Sequence, residues 1–319
     1  MAGIVPPFFL LIPSIEYLPF VRILLSIWLI FAALCSHAGE TNITPPQCIM
    51  EGDSAVIPLK MAGSLLIIEA TVDGIDGNFI LDTGAPYLVL NSTYFRDYIS
   101  AEDRVVTGVG GQYDLAYRSR VKNLGLDQIS YKGVDVDLTD LGALEEKRGI
   151  QIHGLFGLNL LTPYLVKLDV RNRVLVLYKK NQDRPKADIK IDMESTREAI
   201  FMDLKVSGVS SVFSIDTGAE VSVLNTDIPA ELLSDISIRK RSLLTSSTGS
   251  EVEVLLGSFK RCEIQGKEFR GMPLIITNLE VMGESYRRSI DGMLGISLLV
   301  RGVTYFDFEN QSFEMYLYD

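Results

Sequence analysis

Residues 72–91 and 206–225 align without a gap at an offset of 134, and ten of the 20 positions are identical. The first copy reads VDGIDGNFILDTGAPYLVLN and the second VSGVSSVFSIDTGAEVSVLN. A chain that repeats itself in this way builds two units of one kind rather than one large unit. A second pair of segments, Ile152 to Leu161 and Ile290 to Leu299, aligns at an offset of 138 with five of ten positions identical. Each copy then reaches an aspartate, Asp169 or Asp307, and ends in a β-rich run, VLVLY or FEMYLY. Between the repeats lies KKNQDRPKAD, which carries six charged residues and no large apolar one. These landmarks predict a first lobe over 50–178, a linker over 179–188 and a second lobe over 189–319. Lobes of about 130 residues are large enough to bury a core.

Apolar runs of four to eight residues, broken by Gly, Asn, Asp and Ser, recur in both halves, which predicts an all-β fold. Helical patterns are confined to short stretches near Thr139–Lys147 and Pro229–Ser234.

A formal net charge of −11 repels phosphate backbones, so nucleic acid is not an expected partner. The first 38 residues stand apart. The apolar run Ile23 to Cys35 follows Arg22 and precedes Ser-His-Ala, a small-x-small cleavage pattern. Its 13 residues suit a signal peptide better than a membrane span, so export is expected, with membrane attachment only if 1–38 stays uncleaved. The apolar, proline-containing stretch before it carries no basic residue, which points to a translation start at Val21.

Beyond that segment the chain has two cysteines, Cys48 and Cys262, and one histidine, His153. No H-E-x-x-H, paired C-x-x-C or G-x-S-x-G is present, so neither a metal nor a cofactor is expected, and His153 reads as structural. An even thiol pair in an oxidising compartment points to a bridge, against the competing reading of two small buried cysteines.

The shared DTGA tetrapeptide places one aspartate in each repeat, Asp82 and Asp216. Two carboxyl groups that face each other and share a proton can activate water against a peptide carbonyl. One acts as general base while its protonated partner polarises the carbonyl. Gly84 and Gly218 permit close backbone approach, and Thr83 and Thr217 offer hydroxyls that can bond across a seam.

Hydrophobic-hydrophobic-Asp-Thr-Gly-Ala, followed in each repeat by a hydrophobic-Gly segment ending at Gly157 or Gly295, resembles the retropepsin-like aspartic peptidases. The resemblance spans both repeats. It implies a pseudo-twofold, bilobal monomer of two β-barrel lobes, an aspartic endopeptidase acting on peptides or proteins. It also implies that Asp82 and Asp216 are the catalytic dyad, that Thr83 and Thr217 lock the lobes, and that Gly157 and Gly295 mark strands packed beneath the aspartate loops. It further implies a flap over the substrate. TGVGGQY, with Gly108, Gly110 and Gly111, suits the first lobe, whereas the second has TSSTGS with only Gly249. A competing reading is a peptide-binding module of the same fold that no longer cuts, and a weaker one is an envelope structural protein. Asp169 and Asp307 read as turn residues, and the N-x-Ser/Thr matches at Asn42, Asn91 and Asn310 carry little weight.

Overall fold

The structure, a computed structural model, describes residues 45–99, 103–108, 111–245 and 251–319. The segment 1–38, with its expected signal peptide, lies outside them, as do Asn42, Gly110 and Gly249. Among the described residues no helix is long and apolar enough to cross a membrane.

Each V-x-G of the repeat makes a tight hairpin. Asp73 and Gly74 have φ of 46° and 91°, and Ser207 and Gly208 have 48° and 86°, the paired positive values that let a two-residue turn follow the twist of its strands. The hairpin in the first half joins strand Leu65–Val72 to Ile75–Leu81, and its counterpart joins Ile200–Val206 to Val209–Ile215. In both, the second strand runs directly into the aspartate.

In the first half, six strands close on themselves: Ile129–Thr139, Leu88–Asn91, Gly154–Phe156, Ile75–Leu81, Leu65–Val72 and Gly111–Leu126, the last pairing back with the first. This all-β, barrel-containing architecture is retropepsin-like. In the second half the equivalent of the long closing strand is broken into Glu251–Phe259 and Cys262–Ile264, and only Val206 and Ile264 pair across the closure. Side chains such as Phe79, Phe156, Tyr131, Phe213 and Phe259 fill the interiors. The buried Tyr131 hydroxyl donates to the Leu160 carbonyl at 2.9 Å, so burying it leaves no polar group unpaired.

The halves are joined by one six-stranded antiparallel sheet, in the order Ser54–Pro58, Val174–Tyr178, Leu165–Asp169, Gly302–Asp307, Ser312–Leu317 and Ile189–Ser195. Each half supplies three strands. At its centre Val166 opposes Phe306, Lys167 opposes Tyr305 and Leu168 opposes Thr304. Because 166, 167 and 168 correspond to 304, 305 and 306 at the repeat offset, the pseudo-twofold axis passes through the Lys167–Tyr305 pair. The segment 179–188 returns along this sheet. It is pinned by Arg184, which donates to Glu314 at 2.8 Å and Asp307 at 3.1 Å and lies over the Tyr305 ring.

The short helices expected near 139–147 and 229–234 occur as Gly142–Arg148 and Ala230–Leu233. Two more, Glu280–Tyr286 and Ile296–Leu299, were not evident in the sequence. Of the two readings of Cys48 and Cys262, the unbridged one holds in the structure, where both thiols are free. Cys48 lies on the first-half strand Gln47–Met50, where its thiol donates to the Pro46 carbonyl, while Cys262 is buried on the second-half strand Cys262–Ile264. Each is held by its own sheet.

Asp169 and Asp307 end their strands and accept hydrogen bonds from Asn172 and Asn310 in the turns that follow. The Asn91 side chain is fully buried and bonded to the Ile152 carbonyl, which leaves no room for a glycan there.

Candidate active site

Asp82 and Asp216 leave strands Ile75–Leu81 and Val209–Ile215 at equivalent points and meet between the halves, both buried. Their backbones are held by the hydrophobic-Gly segments. The Asp82 N–H donates to the Phe156 carbonyl at 3.1 Å and the Asp216 N–H to the Leu294 carbonyl at 2.9 Å. Strand Gly154–Phe156 lies parallel to Ile75–Leu81 and antiparallel to Leu88–Asn91, and Gly292–Leu294 is placed in the same way in the second half. Gly157 and Gly295 close these supports. A side chain at Gly157 would collide with the Tyr87 carbonyl, and a Cβ at Gly295 would stand 2.5 Å from the Ala219 carbonyl oxygen.

The motif threonines bond reciprocally. The Thr83 N–H donates to the Thr217 hydroxyl and the Thr217 N–H to the Thr83 hydroxyl, both at 3.0 Å. The hydroxyls in turn donate to the carbonyls of Ile215 and Leu81. The motif glycines bring the carboxylates together. A Cβ at Gly84 would lie 2.6 Å from the Asp216 carboxyl carbon, and one at Gly218 would lie 2.7 Å from that of Asp82.

Charge is distributed unevenly over the pair. The Gly84 N–H faces both carboxylates, at 2.9 Å from Asp82 Oδ1 and 3.2 Å from Asp216 Oδ1. Asp82 also accepts from Ala85 N–H at 3.1 Å, and Asp216 from Gly218 N–H at 2.7 Å. Burial pushes the Asp82 carboxyl well above the usual range, and the charge of Asp216 beside it pushes it further. Burial also raises Asp216, against backbone donors that favour its charged form. Two buried carboxyls this close cannot both be ionised cheaply, so the pair holds one shared proton between them. Asp82 Oδ2 and Asp216 Oδ2 have no hydrogen-bond partner among the described residues.

Of the candidate flap residues, Gly108 and Gly111 fall on a hairpin, while Gly110 and Gly249 lie outside the described residues. Strands Asp103–Gly108 and Gly111–Leu126 pair with Gly108 opposite Gly111, and in the second half Ile236–Thr245 pairs with Glu251–Phe259, Thr245 opposite Glu251. Both halves thus carry a long hairpin at the same place, although only one is glycine-rich in sequence. Strand Asp103–Gly108 crosses to the other half and runs within 8 Å, Cα to Cα, of helix Glu280–Tyr286.

His153 is structural in its contacts. It stacks on Tyr94 with ring centroids 4.2 Å apart, and its Nδ1 accepts the Asn78 N–H. Among the described residues no group of three or more acidic, histidine or cysteine side chains could hold a metal.

Sequence reading missed two features beside the aspartates. Ser222 accepts the Gly295 N–H and meets Ser297 Oγ at 2.8 Å, a polar support confined to the second half. Glu220, immediately after DTGA, pairs with Arg148 and accepts the Ser64 N–H of the first half. Neither position is shared between the repeats, so repetition could not flag it.

Two converging aspartate loops, cradled by equivalent strands between β-barrel halves, define the retropepsin-like class of fold. More particularly, residues 68–160, which contain the first aspartate loop and its supporting strand, match the family model described as aspartyl protease. No curated protein matches the chain.

Proposed function

We propose that the protein is an exported aspartic endopeptidase that acts as a monomer of two lobes, 50–178 and 189–319, with Asp82 and Asp216 as its dyad. The observation that carries this reading is the Gly84 N–H meeting both carboxylates, with each motif glycine packed against the opposing aspartate. Ionised Asp216 takes a proton from a water held between the outer carboxyl oxygens. Protonated Asp82 donates to the scissile carbonyl, and the water oxygen bonds to the carbonyl carbon. The resulting diol collapses as the leaving nitrogen receives the proton now on Asp216, and Asp82 recovers its own. Peptide and water give a carboxyl and an amine with no metal, cofactor or covalent intermediate.

Thr83 and Thr217 hold the loops in register, and the hairpins bearing Gly108, Gly110, Gly111 and Gly249 close over the substrate. The leader at 1–38 directs export, and sequencing the mature protein should find Gly39 first.

The decisive experiment incubates purified protein with denatured protein substrate across pH, with and without a statine-type transition-state mimic. Cleavage should be inhibitable and lost in both Asp82→Asn and Asp216→Asn. Because both carboxyls are raised by burial and neither Ala85 nor Ala219 supplies a hydroxyl, the optimum should fall at about 4.5–6.5. Specific activity should not change with protein concentration. Full activity in either Asn variant would overturn the dyad, and activity that rises with concentration would overturn the single-chain site.

A further inference from the structure

The two ends of the seam are built from equivalent parts but different chemistry. At one end the second aspartate loop contributes Glu220, and the first half contributes Ser64 and the helix residues Lys147 and Arg148. At the other end the corresponding positions are Pro86, Glu198, Ser285 and Tyr286, with Tyr87 next in the loop. There, Arg118 lies over the Tyr87 ring at 5.1 Å while paired with Asp137, and Tyr286 packs edge-on against Phe201. Both ends carry charge, but the first, the ionic end, sets two helix cations against Glu220, whereas at the second, the aromatic end, the helix positions are Ser285 and Tyr286 and Arg118 is paired with Asp137.

The ionic end has more positive charge than its carboxylates can balance. Glu145 is committed to the Tyr94 hydroxyl and the Ile152 N–H, and Glu146 is exposed. Among the described residues Glu220 alone faces both cations. Its carboxylate is engaged by one Arg148 nitrogen and by Ser64 N–H, while Arg148 Nε and Lys147 Nζ, both screened from solvent, have no hydrogen-bonding partner among the described residues. Two buried cationic donors without acceptors and one unbalanced positive charge form a cost that a carboxylate would relieve. Both atoms belong to the helix end that meets Glu220, four residues from Asp216, so an acceptor that reaches them lies beside the second aspartate loop.

Resting on the peptidase reading, we propose that Lys147 and Arg148 form a specificity subsite for an acidic side chain of the peptide substrate, with Lys147 as the free cation and Glu220 as its internal competitor. The ionic end selects a carboxylate, the aromatic end does not, and the difference sets the direction in which a peptide lies across the dyad.

The test uses full-length mature protein and peptides blocked at both termini that carry glutamate or glutamine at successive positions around one scissile bond. A charge-assisted hydrogen bond predicts a glutamate-to-glutamine ratio in kcat/KM of at least about tenfold at one position and near unity elsewhere. Lys147→Met should bring that ratio toward one, with the glutamate peptide losing rate. Lys147→Arg should keep the preference, and Glu220→Gln, which removes the competitor, should raise it. Thermal melts establish that each variant is folded, and the Glu220→Gln arm tests the subsite even where Lys147→Met does not fold. Wild-type protein that cleaves the set with no preference for glutamate at any position overturns the subsite, as does a preference that survives Lys147→Met. Failure of the wild type to cleave any peptide overturns the peptidase reading itself.

Discussion

Thr83 and Thr217 bond to each other twice, each N–H to the other's hydroxyl at 3.0 Å, and each hydroxyl passes a bond on to the strand beneath the opposite aspartate. All four groups are buried, so removal of either hydroxyl orphans both an N–H and a carbonyl of the opposite half.

Thr83→Val should therefore cost about 1–3 kcal/mol per orphaned group, and Thr217→Val about the same because the arrangement is reciprocal. Both variants should unfold at lower denaturant concentration and lose activity as the aspartates drift apart. A Thr→Ser exchange at either position should retain most of both. Urea titration of the four variants checks this, and a Val variant as stable as its Ser counterpart would refute the account.

The repeat made the aspartates, threonines and glycines legible before any coordinates. The V-x-G hairpins, the strand into each Asp and the Gly157 and Gly295 supports are shared parts, and backbone geometry demands the same residues twice. What was not legible is what the halves do differently or do together. Helix Glu280–Tyr286 contains Gly283 and lacks a strong helical pattern. It forms because Met282 is buried and Tyr286 packs on Phe201, which is tertiary packing overriding local preference. The Glu220–Arg148 pair joins residues 72 apart whose counterparts are Pro86 and Tyr286. The shared six-stranded sheet pairs strands that each repeat alone would leave as an open edge.

The thiols provide a second check. Cys262 is buried, which with the nearby charges of Asp235 and Glu263 pushes its thiol up to about 12, and burial also raises Cys48. Thiolate is the reactive form, so both should resist alkylation in the native protein at pH 8. Unreduced, denatured mature protein should show two reactive thiols by mass. A mass two hydrogens lower with no labelling would mean that they are bridged in the cell.

Glu314 joins segment 179–188 to the shared sheet. Burial alone would raise its carboxyl, but hydrogen bonds from Arg184 and Lys190 outweigh this and bring it down to about 2, from an ordinary 4.5. A carboxylate depressed in the folded state stabilises fully above its unfolded value and loses that contribution as pH falls through its folded one. Glu314→Gln should thus lower Tm at pH 7 and differ little from wild type near pH 2. A Tm difference that is the same at both pH values would show that packing rather than charge is responsible.

The dyad works in the opposite direction. Asp82 is raised well above 3.8 in the folded protein, chiefly by burial and then by the neighbouring charge of Asp216. Between the unfolded and folded values the native state holds a proton that the unfolded state has released, so stability declines as pH rises through that window. The cost is fully present at pH above the folded value and absent below about 3.9. Asp82→Asn removes the group that must be kept protonated or tolerated as a second buried negative charge, and its amide can still accept from Gly84 and Ala85. The variant should therefore be inactive yet melt at a higher temperature than wild type at pH 8, and the gain should shrink steadily toward pH 4. Asp216→Asn should also stabilise at pH 8, because burial raises that carboxyl too. Scanning calorimetry of the three proteins from pH 4 to pH 8 measures this. An Asp82→Asn protein less stable than wild type at pH 8 would mean that the two carboxyls are not held together at the expense of the fold.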